Sequence, residues 1–384
     1  MRTRSNHHCS ITKPSALYSS AARFAVSMPV LWGSLCLGTP QSSFSNDALP
    51  SGTPTAIIDA QTRTSVIEAA AKALEDKYIF PDLGKQMADR IRENNHAKAY
   101  DGLATGQDLS KRLTEDLYAI AHDRHVGVHY PDGEVHHEGS PTAEELEQFR
   151  EKAAWHNFAF PEAKRLAGNV GYLKVDALLP PSIAGDTANA AMVFLANTDA
   201  LIIDERDGHG GDPEMVDLLC TYLFPIGDRV HLNDFEKREE PKHEEFYTFG
   251  WVPGKRFAGK EVYVLTSHTT FSGSEELGYD LKVLKRATIV GEVTGGGANP
   301  GDVFSLPESF SIFVPTGRAV NPITKTNWEG VGVQPDVSVT ADKALDMAHY
   351  LALKKLQTSH SSSDAKAKEV SEKLQELEKE FAGK

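Results

Sequence analysis

A chain of 384 residues, 40% apolar and 24% charged, has room for a full-sized core and two structural units, with the composition of an ordinary soluble globular protein. A formal net charge of −14 leaves no basic face to neutralise phosphates, which excludes nucleic acid as a partner and argues against an anionic membrane surface. Three cysteines, Cys9, Cys36 and Cys220, are too few for a disulfide framework.

Residues 1–48 carry scattered positive charge, an apolar stretch from Phe24 to Leu37, a small-residue polar run, and no acidic residue before Asp47. This pattern predicts an export signal and a periplasmic or extracellular location. The apolar stretch is short of the ~20 residues that span a bilayer, so no integral membrane span is expected in the mature chain. After the linker at 50–54 the periodicity turns helical. Ser65-x-x-Glu68 has the form of a capping box, followed by Val66, Ile67, Ala70, Ala73 and Leu74 at helical spacing. A second helix is expected over about 83–93 and a third over about 106–122, giving a small N-terminal helical unit over 56–122.

The pattern then changes to a short strand within 122–130. The polar stretch 131–168 carries one helix near 142–153 and is too short for an inserted peptide-binding domain. From residue 169 strands and helices alternate: strands at 171–178, 200–205, 262–265 and 287–292, helices at 182–195, 213–224 and 275–285. Apolar strands spaced by helices imply βα units around a largely parallel sheet. Shorter strands are expected at 310–315 and within 331–339, and an amphipathic helix over 341–356 closes an α/β core that begins at residue 123. Residues 357–384, rich in serine and charge, read as a solvated tail. Cys220 falls in a predicted helix and is expected to be a buried thiol.

Two strand-to-helix turns can carry chemistry. In the first, Ser272-Gly273-Ser274-Glu275 follows the buried strand ending near Leu265. A serine there has its hydroxyl at the end of a sheet, beside helix N-terminal amides free to meet a developing negative charge. Ser272 is therefore a candidate nucleophile, although Ser272-x-x-Glu275 also has the form of a capping box. In the second, Gly208, Gly210 and Gly211 let backbone approach a ligand and turn amides outward, ahead of a helix capped by Asp212 with Pro213 at its first turn. Gly295-Gly296-Gly297 forms a third glycine stretch. None of these is followed by the Lys-Ser/Thr pair of a phosphate loop, and no HExxH or Cys/His cluster occurs, so neither nucleotide nor metal is expected and no cofactor is called for. A serine nucleophile needs a base; among fifteen histidines His125 is set apart by lying where a helix gives way to a strand. Glu329, before a glycine turn, offers a carboxylate able to orient an imidazole.

Taken in order, Asp123-Arg124-His125, Gly171-Tyr172, the Asp204/Arg206/Gly210/Gly211 loop, Ser272–Glu275, GEVTGGGANP at 291–300 and EGVGVQPD at 329–336 resemble the tail-specific, or C-terminal-processing, serine peptidases. The branch they most resemble holds the tricorn core protease and the repeats of the interphotoreceptor retinoid-binding protein. The resemblance covers about residues 60–350. It implies a crotonase- or caseinolytic-protease-like α/β core behind an N-terminal helical bundle. It also implies Ser272 as nucleophile, an oxyanion hole from the Gly273 amide and one amide of Gly210 or Gly211, and His125 with Glu329 as base and orienting carboxylate. The glycines 295–297, a possible substrate loop, stand where the processing branch has its lysine base. Arg124 stands where the tricorn arrangement has a serine. The implied activity is hydrolysis of flexible polypeptides; the alternative on the same fold is a non-catalytic carrier of apolar small molecules such as retinoids or fatty acids. Oligomeric state is not legible.

Overall fold

The computed structural model describes residues 58–131, 142–227, 229–359 and 364–382. The expected export segment at 1–48 lies outside the described residues.

Three helices open the chain: α1 (Ala60–Lys77), α2 (Pro81–His96) and α3 (Gly106–Ala121). The cap of α1 is Asp59, whose side chain accepts from the Thr62 amide; Ser65 therefore sits inside the helix and is not its N-terminus. The bundle packs onto strands from later in the chain. Leu74, Leu113 and Leu117 share one core with Val126, Val128, Ile312 and Val314. Val128, Ile312 and Val314 come from a small antiparallel sheet in which β1 (Gly127–His129) pairs with a strand near residue 313, and Val126 directly precedes β1.

The rest of the chain runs α4 (Ala143–Trp155), β2 (Glu162–Leu166), β3 (Val170–Lys174), α5 (Pro181–Leu195), β4 (Ala200–Asp204), α6 (Pro213–Leu223), β5 (His231–Lys237), β6 (His243–Tyr247), β7 (Glu261–Thr266), α7 (Gly273–Val283) and β8 (Thr288–Gly291). Then come β9 (Gly301–Ser305), β10 (Ser311–Pro315), β11 (Gly317–Val320), β12 (Val337–Ser338), α8 (Ala341–Ser359) and α9 (Asp364–Ala382). Six strands form the central sheet in the order β12-β8-β7-β4-β3-β2, parallel except for the antiparallel edge β2.

Alternation along the buried strand β4 explains the layering. Leu201 and Ile203 pack into the core under α5, α6 and α7, while Ala200 and Ile202 face the layer of α8 and α9. Cys220 is fully buried on α6. The C-terminal segment is not a solvated tail. Val370, Leu374 and Leu377 on α9 recur at spacings of four and three, which places them on one face, and all three are buried against the sheet layer with Leu353 and Leu356. Arg165–Glu369 at 2.9 Å and Lys366–Asp199 tie the helix to the core at its rim. Among the described residues no helix is long and apolar enough to cross a membrane.

This architecture leaves the carboxyl ends of β4 and β7 side by side, since Asp204 pairs with Leu265 in register. The loops that follow them, 205–212 and 267–272, open onto one crevice, the usual place for a site in an open α/β sheet.

Candidate active site

Ser272 is the N-cap of α7, with φ 56° and ψ −126°, a backbone conformation that costs a non-glycine residue of order 1–3 kcal/mol. Ser272 and Glu275 keep the outline of a capping box: the Ser272 amide donates to Glu275 Oε2 at 2.9 Å, and the Glu275 amide donates to the Ser272 carbonyl at 2.8 Å. The hydroxyl makes no capping hydrogen bond. Ser272 Oγ instead lies 3.1 Å from Nε2 of His125. An imidazole at that distance can take the hydroxyl proton.

Three elements hold His125. The α3 helix ends at His122 in the left-handed region, which turns the chain toward β1 and delivers the ring to the crevice. Phe271 lies against the ring with centroids 4.6 Å apart, and Phe313 of β10 stacks on it at 5.9 Å. Gly297 closes the edge: a Cβ there would lie 2.7 Å from His125 Cε1, so only glycine leaves the ring its place. Burial lowers the imidazole pKa; the Asp123 carboxylate opposes that shift and the Arg124 guanidinium adds to it.

Behind the ring stand two carboxyl groups. Asp123 Oδ1 is 3.7 Å from His125 Nδ1 and accepts the His125 backbone amide at 2.9 Å. Its Oδ2 accepts from Tyr78 at 3.1 Å and Asn299 at 2.9 Å. Glu329 is brought to the same place, with one polar atom from each of Asp123, His125 and Glu329 within 4.8 Å of the others. Its Oε2 accepts the Ala298 amide at 2.5 Å, while Glu329 Oε1 and His125 Nδ1 are buried without hydrogen-bond partners. Burial, and then the charge of Asp123, push the Glu329 carboxyl up to about 8. Sequence reasoning named Glu329 and passed over Asp123, although the signal for it was the Asp-x-His step itself.

The glycines separate into different jobs. The amides of Gly211 and Gly273 have no hydrogen-bond partner among the described residues, and a Cβ built on Gly273 would sit 3.1 Å from the Gly211 nitrogen. The Gly210 amide is committed to Ser274 Oγ at 3.1 Å, which removes Gly210 as a donor to a ligand and makes Ser274 a strut of the loop. Of glycines 295–297, Gly297 lines the cavity beside Ser272, but the backbone polar groups of all three are taken up inside the protein. Their amides go to Thr270 O at 2.9 Å and to the two Glu275 oxygens at 2.7 and 2.8 Å; their carbonyls accept from Arg124, Gly330 and Trp328. Glu275, wholly buried, thus fixes this loop behind His125. Arg124 lies over Phe271 at 5.1 Å with its guanidinium on Gly295 O, beside the ring and not between it and either carboxyl group.

A cavity of about 340 Å³ opens beside Ser272, lined by His125, Phe271, Phe313, Leu178, Gly211, Gly273, Glu276 and Trp328 among others. Outside this site His231, Asp234 and Glu245 also bring ligand-type atoms together, but His231 Nε2 and Asp234 Oδ1 already satisfy each other at 2.6 Å.

Comparison with known families places this geometry. Residues 169–339 match peptidase family S41, and residues 48–155 match the N-terminal domain of peptidase S41 in eukaryotic IRBP. The chain belongs to peptidase family S41. Among solved structures, this S41 chain is similar to a lipoprotein from Streptococcus agalactiae, with 14% identity, a TM-score of 0.50 and coverage of 81% of this chain and 100% of that one. It is also similar to a candidate peptidase from Parabacteroides merdae ATCC 43184, with 16% identity, a TM-score of 0.52 and coverage of 79% and 99%. The photosystem II D1 C-terminal processing protease aligns at 15% identity and a TM-score of 0.45, over 73% of this chain and 94% of that one. At these identities the likeness to the first two is one of fold, and the S41 models carry the peptidase class.

Proposed function

We propose that this S41 peptidase is an exported serine endopeptidase acting on flexible polypeptides. The observation that carries the reading is the 3.1 Å contact between His125 Nε2 and a serine hydroxyl held in strained backbone and not used to cap its helix. Ser272 Oγ attacks the peptide carbonyl carbon as His125 takes its proton, and the electron pair displaced onto the carbonyl oxygen meets the unpartnered amides of Gly273 and Gly211. Collapse breaks the C–N bond, the leaving amine takes the proton from the imidazolium, and a water activated by the same ring releases the acyl group. Asp123 supports the imidazolium from behind, and Glu329 serves as a second, proton-holding carboxyl in the same pocket.

Labelling of the purified full chain with a fluorophosphonate tests this. Mass mapping is expected to find the adduct on Ser272, with loss of at least about 1,000-fold in labelling rate in Ser272→Ala and His125→Ala. A folded wild-type protein that takes no label overturns the reading. Tight uptake of a fatty acid or retinoid by that unlabelled protein would establish the carrier alternative.

A further inference from the structure

One turn beyond Ser272 on α7, Glu276 lines the cavity while only 4% exposed. Its Oε1 accepts from the fully buried Asn233 at 3.0 Å, and its Oε2 has no hydrogen-bond partner among the described residues. Asp212, the cap of α6, reaches the same cavity; its Oδ1 accepts the Glu214 amide at 2.8 Å. Deeper between α6 and α7 lie Asp217 and Asp280, and Asp280 Oδ2 is buried without a partner. Among the described residues no lysine, arginine or histidine lies within ion-pair distance of any of these four acids; Arg124, His125, His129 and His209 also line the cavity, and Leu178, Pro213, Phe235, Ala319 and Trp328 give it apolar walls. Burial and the Asp212 charge push the Glu276 carboxyl up to about 7, the mark of an acid short of a cation.

We propose that this cavity is the subsite for the side chain on the acyl side of the cleaved bond and that it takes lysine or arginine, with Glu276 pairing the charge. The inference rests on the serine-peptidase reading of Ser272 and His125. An apolar sleeve ending in an unpaired carboxylate suits a side chain with a methylene stem and a cationic head. The stem buries against Leu178 and Trp328, and the head supplies the donors that Glu276 Oε2 lacks, in a place where water screens little. An uncharged side chain of equal length fills the sleeve but leaves the acid unpaired, and an acidic one adds repulsion from both Glu276 and Asp212.

The test uses peptidyl diphenyl phosphonates that differ only in the residue entering this subsite: lysine, norleucine or glutamate. The serine oxygen bonds to phosphorus, phenol leaves, and the rate of adduct formation at Ser272 is read by mass spectrometry. Lysine is expected to react about 10- to 100-fold faster than norleucine, the difference a buried charge left unpaired produces, with glutamate slowest. In Glu276→Gln the lysine advantage is expected to collapse to within about 3-fold. Should that variant fail to fold, the lysine, norleucine and glutamate series on the wild-type chain decides alone. Norleucine reacting as fast as lysine on a wild-type chain whose Ser272 takes a plain fluorophosphonate overturns the subsite and leaves the peptidase reading standing. Absence of fluorophosphonate labelling overturns both.

Discussion

At the scale of single residues, the unusual feature is an imidazole with two carboxyl groups behind it and an arginine beside it. Asp123 has both oxygens supplied with donors, from His125 N, Tyr78 and Asn299, and lies 3.7 Å from Nδ1, a separation that a small ring movement closes when the imidazole becomes charged. Glu329, raised to about 8, enters neutrality with its proton on. The two should therefore respond differently to removal of charge. Asp123→Asn is expected to lower kcat/KM by about 100- to 10,000-fold, whereas Glu329→Gln, close to the protonated acid in shape and charge, should stay within about 10-fold at pH 7. Equal losses in the two variants would return the orienting role to Glu329. The pH profile adds a sign. Burial and the Arg124 charge depress the His125 pKa, so the acid limb of kcat/KM should fall below the usual histidine range. Replacing Arg124 by glutamine removes one depressing charge and should move that limb to higher pH; an unmoved or lowered limb would show that Arg124 does not act on His125 through charge.

At the scale of elements, α9 gives the sharpest stability prediction. Leu377 is fully buried in the core that α9 shares with α8 and the sheet, and Val370 and Leu374 lie on the same face. Leu377→Ala should cost about 2–4 kcal/mol, read as a shift in the denaturation midpoint with the slope unchanged, while alanine at the neighbouring exposed Glu376 should cost under about 0.5 kcal/mol. A negligible effect at Leu377 would mean that the helix is not docked in solution. The same element shows where the sequence could be read and where it could not. Helices such as α3 and α6 and the buried strands β4, β7 and β8 announced themselves because local periodicity and caps coincide with burial. In α9 only a few apolar residues stand among charges, and their burial depends on a surface contributed by α8 and β3, which no local pattern reveals. The β5–β6 hairpin was missed for a related reason: His231–Lys237 buries Asn233 and Asp234 as well as Leu232, so its apolar alternation is broken by polar residues that serve the site. Ser272, His125 and the Gly211–Gly273 pair were legible as residues placed at strand ends. The roles of Asp123, Glu275 and Glu276 were not, because each depends on partners 19 to 176 residues away in the chain.

At the scale of the whole molecule, the formal charge of −14 takes every carboxyl as ionised, whereas burial lifts the pKa of several of them toward or above neutrality. Burial raises Asp212 to about 7, Glu276 to about 7, Glu329 to about 8 and Asp217 to about 9, and drives Glu205 and Asp280 well upward too. In the unfolded chain these groups titrate near 4. Between pH ~4 and the native values the folded protein therefore binds more protons than the unfolded one, and stability must fall as pH rises. The contribution is fully present below the unfolded pKa and is lost as each group is forced to ionise through about 7 to 9. Asp204 works in the opposite direction: burial alone would raise its pKa, but Arg206 and Tyr172 outweigh it and hold the carboxyl low, so that its contribution disappears only in acid. The two trends put the stability maximum in mildly acidic solution. The melting temperature should peak at pH ~4–5 and drop by roughly 5–10 °C by pH 9. Asp217→Asn removes the carboxyl raised to about 9 and should flatten the alkaline side, leaving the variant more stable than wild type at pH 9 and less advantaged at pH 5. A melting temperature that holds steady or climbs from pH 6 to 9 would mean that water or a bound cation reaches the acids between α6 and α7, and that they are charged in the native state after all.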